Sequence, residues 1–204
     1  MAASAPGHAA LMAVADSTGT IAGSEIVTKD TATNLEWLDL TVTDGCSVNQ
    51  VNANTCNSQD LSGWTHATYT QVFTLWDNAG IPDIRPPDFI SNTVANHDPI
   101  EDLLTDFLGF TIGTDTAQGY YDDSDFPPAG DSNAANLGIA QLQLRSGTTG
   151  NAQFFVDSFG PANASGNNGH YLVREMQMLP EPGALTILGL GLAGLDALRR
   201  KKAA

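Results

Sequence analysis

Three carboxylates fall within four residues at Asp122, Asp123 and Asp125, in the run Tyr120-Tyr121-Asp122-Asp123-Ser124-Asp125-Phe126. Clustered oxygen donors on a loop suit calcium, a hard cation that takes many oxygen ligands. The EF-hand pattern is not met, because its sixth-position glycine and twelfth-position glutamate are both missing. Tyr120, Tyr121 and Phe126 give the same stretch rings on which a sugar stacks. Calcium binding and carbohydrate binding are therefore both open, beside the plainer reading of a solvated acidic loop.

Other chemistry is scarce. His8, His66, His97 and His170 are dispersed, and none lies in an H-E-x-x-H pattern. There is no G-x-S-x-G, no S-x-x-K and no cysteine beside a histidine partner. In so acidic a chain any two carboxylates make a pair, so no glycosidase pair is singled out. The sequence predicts a non-enzymatic protein. A lectin-like carbohydrate- or calcium-binding module is the alternative, and a secreted hydrolase comes third.

Cys46 and Cys56 are the two cysteines. Their spacing is not C-x-x-C, and no histidine pair completes a zinc site. In an oxidising compartment they would close a short loop; in a reducing one they would stay as two thiols.

The net charge is −15, and its placement matters more than its size. Residues 1–179 hold four Lys and Arg against twenty-one Asp and Glu, whereas the tail holds four basic and two acidic residues. A body this acidic repels phosphate backbones and anionic lipid, so no nucleic acid partner is expected.

The tail has three parts in order: the rigid turn Pro180-Glu181-Pro182, the nearly uncharged run Gly183 to Leu198, and the basic cluster Arg199-Arg200-Lys201-Lys202. A helix breaker, an apolar span and cations that stay on the cytoplasmic side make a stop-transfer device. The span is sixteen residues, or roughly 24 Å as a helix, against a hydrocarbon core of about 30 Å. Asp196 interrupts it, three and four residues before Arg199 and Arg200, within reach of both on one helix face. Gly189, Gly191 and Gly194 match G-x-G-x-x-G by letter. No strand precedes them, so small residues on a membrane helix explain them better than a dinucleotide site.

This tail closely resembles the PEP-CTERM sorting signal of exported bacterial proteins, also catalogued as the ice-binding protein C-terminal domain. The resemblance implies recognition of Pro180, Glu181 and Pro182 by an exosortase, a membrane-embedded processing enzyme. It implies export, inner-membrane anchoring and then surface display or release, in an exopolysaccharide or biofilm setting. Ala13-Val14-Ala15 before Asp16 fits an A-x-A cleavage site, which makes residues 1–15 a degenerate or truncated signal peptide. The expected organisation is thus 1–15 signal peptide, 16–179 exported domain and 180–204 sorting and anchor segment.

The body must then be built from short elements. Thr20 to Lys29 and Leu35 to Leu40 read as two strands of a hairpin, the second half-buried with its acids outward. Ser47 to Ala53 reads as a short helix. Trp64 to Gly80 reads as a longer one, with Thr68 as N-cap and Tyr69, Val72, Phe73 and Trp76 at helical spacing. Asp98-Pro99-Ile100-Glu101 opens another, with Ile100, Leu103, Leu104, Phe107 and Leu108 inward and Gly109 at its end. Residues 113–135 read as acidic loop. Strands are expected at Leu137 to Arg145, Ala152 to Phe159 and His170 to Met176. The sum is an α+β fold: a small antiparallel sheet with two or three helices, plus a single C-terminal transmembrane helix. The segments DTATNLEWLDL, GWTHATYTQVFTLW and HYLVRE also resemble a recurrent cargo domain of that sorting family. More distantly they are similar to a C-type-lectin-like or sulfatase-modifying-factor-like layout, which carries over no catalytic residue.

Overall fold

The computed structural model describes residues 11–23, 25–81, 90–125, 137–145, 149–156 and 167–176. Among these it is α+β, but with two five-stranded sheets where the sequence predicts one. The strands are β1 (Leu11–Val14), β2 (Val27–Asp30), β3 (Leu35–Leu38), β4 (Thr65–His66), β5 (Ile90–Thr93), β6 (Thr116–Asp122), β7 (Leu137–Arg145), β8 (Thr149–Val156), β9 (Gly169–His170) and β10 (Leu172–Glu175). The first sheet has the order β1-β2-β3-β10-β4, and the second β5-β8-β7-β6-β9. All pairings are antiparallel except β6 with β9.

The sheets meet where the chain passes from β9 to β10. His170 pairs with Tyr120 in the second sheet, and two residues later Leu172 pairs with His66 in the first. Tyr171 bridges both, donating to the Tyr120 carbonyl and accepting from the Ala67 N–H. The single strand expected at His170 to Met176 is therefore two short ones in different sheets. Residues 113–135 are not all loop either, since β6 runs through Thr116–Asp122 with both faces largely covered. Covered strands lack the polar alternation by which a strand is recognised.

Helix α2 (Tyr69–Asn78) starts later than the Trp64 of the sequence reading, because Thr65 and His66 are already paired in β4. Its start is fixed by a capping box in which Thr68 and Gln71 satisfy each other's backbone N–H groups. Ser47 and Gln50 do the same for α1 (Val48–Asn52). Helix α3 (His97–Asp102) caps at Asn96, not Asp98, and continues as a π-helical turn over Leu103–Leu108. Gly109, at φ 71°, ends that turn in a conformation that side chains rarely adopt.

Alternation along the first sheet separates two of the three core clusters among the described residues. Trp37 and Val173 point into the main one, with Trp76, Tyr121, Phe154 and Tyr171. Their neighbours Leu38 and Leu172 point the other way, into a second core with Val27, Trp64 and both cysteines. The first sheet is thus covered on both faces, and Glu36, expected outward, is buried. It pairs with Arg174, directly opposite on β10.

Cys46 and Cys56 are joined in a disulfide with Cα atoms 5.7 Å apart, and lid the second core. The bridge closes a loop of sequence separation 10, a constraint worth about 2–3 kcal/mol in the chain-entropy view. Reduction should lower the unfolding free energy by that amount and so bring down the urea midpoint, and a Cys46→Ala/Cys56→Ala variant should match the reduced protein. An unchanged midpoint in reductant would show that the bridge does not hold the fold.

Among the described residues no helix is long and apolar enough to cross a membrane. The expected membrane span, Gly183 to Leu198, lies outside the described residues, as do Pro180, Glu181, Pro182 and the cluster Arg199, Arg200, Lys201 and Lys202.

Candidate functional site

The seam between the sheets brings together two histidines that are 104 residues apart in sequence. β4 supplies His66 and β9 supplies His170, and Nε2 of the first lies 2.9 Å from Nδ1 of the second. Nε2 of His170 lies 3.0 Å from the Cys46 carbonyl, and its backbone N–H donates to Thr43 Oγ1 at 2.8 Å. The ring of Tyr120 covers it, with centroids 5.2 Å apart. Gly169 permits this close approach, since a Cβ there would overlap the Leu40 carbonyl.

A carbonyl only accepts, so the His170 Nε2 must carry hydrogen. In the neutral ring Nδ1 is then an acceptor, and His66 donates to it from Nε2. That order leaves Nδ1 of His66 to take the first proton. Burial, reinforced by the neighbouring His170, pushes His66 down to about 4, against the opposing pull of Asp122. Burial likewise pushes His170 down to about 4, with the Cys46 carbonyl opposing. Both rings are neutral at pH 7. The pair is a hydrogen-bonded latch between the disulfide loop and the two sheets. Dispersed in sequence, it carries no local signal.

The acidic loop ends β6 beside this latch. Asp122 donates its backbone N–H to the Ala67 carbonyl and accepts from the Ser124 N–H at 2.9 Å through Oδ1. Asp125 Oδ2 accepts the Thr70 N–H at 3.2 Å, in the first turn of α2. That turn has no acidic residue of its own. The loop therefore brings a carboxylate, Asp125, to the positive end of the helix from elsewhere in the chain. Burial pushes Asp123 up, and the charge of Asp122 adds to it. This geometry gives Asp125 a helix-capping role, while the Asp122 carboxylate closes its own turn. The group of ligand atoms that does converge among the described residues is His97, Asp98 and Glu101. There His97 Nδ1 lies 3.1 Å from Asp98 and 3.9 Å from Glu101, with both carboxylates exposed.

A second polar cluster lies at the rim of the second core. Arg174 reaches Glu36 through Nε at 2.7 Å and Asp16 through Nη2 at 2.6 Å, and its guanidinium lies 4.3 Å over the Trp64 ring. Asp16 also accepts from the N–H groups of Thr18, Thr20 and Ile21. Burial alone would raise this carboxyl, but Arg174 and these donors outweigh it and hold it well below the usual carboxylate range.

Residues 179–202 match the family model of the PEP-CTERM protein-sorting motif. The motif marks an exported protein sorted by exosortase. No curated protein and no solved structure matches the chain.

Proposed function

We propose that this chain is a non-enzymatic surface protein, processed by exosortase at Pro180, Glu181 and Pro182, whose body serves as a matrix or adhesion module. Gly183 to Leu198 holds the chain in the inner membrane until processing, with Arg199 to Lys202 on the cytoplasmic side. The body is then displayed or released, in contact with extracellular polysaccharide.

The observation that carries the reading is the sorting-motif match over residues 179–202, which begins at the fourth residue after the end of β10 at Glu175. The disulfide supports it, because such bonds persist in oxidising compartments. Deleting Pro180 to Lys202 should abolish membrane retention and processing, read by fractionation and intact mass. Replacing Pro180, Glu181 and Pro182 by alanine should instead trap the uncut chain in the membrane. Unchanged fractionation of both variants, with the natural chain itself recovered at its full uncut mass, would defeat the reading.

A further inference from the structure

Leu11–Val14 is a strand of the domain, although Ala13-Val14-Ala15 has the form of an export cleavage site. Each of its four residues pairs with β2, from Leu11 opposite Asp30 to Val14 opposite Val27. Leu11 packs on the main core and Val14 on the second, so the strand contributes to both. Two residues later Asp16 is fully inside the Arg174 cluster, its side chain 0 % exposed. A cut before Asp16 would remove the entire strand. It would turn β2, with its fully buried Val27 and Thr28, into a bare sheet edge.

We propose that export cleavage falls upstream of Leu11, and that Leu11 to Asp16 is retained as the first strand and anchor of the mature domain. The proposal rests on the export reading above and moves the processing site within it. Gly7-His8-Ala9 offers small residues at the same two positions that Ala13-Val14-Ala15 does, which is the small-residue pattern an export peptidase reads. Cleavage after Ala9 leaves Ala10 as the first residue, one ahead of β1. The fold distinguishes the two products: one keeps the strand and the other loses it.

Intact-mass measurement of the protein recovered from the envelope and medium of an exporting cell reads both ends of the same molecules. An N-terminus at or before Leu11 is expected. An N-terminus at Asp16 in folded material would overturn the proposal. A chain with both ends uncut in the cytosol would overturn the export reading instead, so the two failures are distinct. A second measurement needs no export: urea unfolding of the full chain against one that starts at Asp16 and is otherwise complete. Losing two half-buried aliphatic side chains and a strand pairing should raise the unfolding equilibrium constant roughly a hundredfold. Equal stability would show that the strand is dispensable and overturn its retention.

Discussion

Between pH 6.5 and pH 4 the folded domain should lose stability steeply, and the loss should trace to His66 and His170. Both rings fall from 6.5 to about 4 on folding. The unfolded chain therefore binds more protons than the folded one across that window, and stability drops as pH drops. The histidine contribution is complete above pH 6.5, falls through the window, and is fully lost once pH passes about 4. At about 1.4 kcal/mol per pH unit, each ring contributes about 3 kcal/mol at most. Asp39, Asp44 and Asp123 oppose the trend, because burial raises all three and their protonation favours the fold at the acid end. Thermal unfolding from pH 7.5 to 4 should show a large fall in Tm for the natural chain. A His66→Gln/His170→Gln variant should give a much flatter profile. Equal slopes would remove the latch from the account of acid sensitivity.

Arg174→Ala should cost about 3–5 kcal/mol, the range for breaking a buried ion pair by removing one partner. The side chain is 8 % exposed and its partners Asp16 and Glu36 are 0 % and 2 % exposed, so water cannot replace it. After its removal Glu36 keeps Lys29 at 3.5 Å, but that amine is partly solvated. Lysine at 174 should recover little, because one ammonium cannot reproduce bonds from Nε and Nη2 while its plane covers Trp64. Adding Glu36→Gln to Arg174→Ala should restore part of the loss, since the stranded charge goes with it. A denaturant midpoint that barely moves in Arg174→Ala would mean that the cluster is screened by solvent.

The elements legible in the sequence are those with local physics. Thr68 announces α2 as its N-cap, and the apolar spacing of Ile100, Leu103, Leu104 and Leu108 announces the α3 segment. The β2–β3 hairpin follows from two runs around Asp30–Asn34, where Asp30 accepts the N–H groups of Ala32 and Thr33. What was hidden is non-local. β6 reads as polar and glycine-bearing because Gly119 lies against Leu40 and Tyr171, with no room for a side chain. β1 reads as leader because a short run of small and aliphatic residues suits either role. The division of the last strand depends on Tyr171 having one partner in each sheet. The histidine latch exists only once β4 and β9 are aligned, and no window of sequence contains both. The acidic loop was visible as chemistry, but its tie to Thr70 was not.

The position of β10 has a consequence for timing. It lies between β3 and β4, and it is the last strand among the described residues yet interior to the first sheet. A polypeptide that crosses a membrane N-terminus first cannot close that sheet until residue 175 has emerged. The sorting motif follows at once, for its match begins at residue 179. Folding of the body and emergence of the sorting motif thus become nearly simultaneous events, because the long-range pairing that closes the sheet waits on β10.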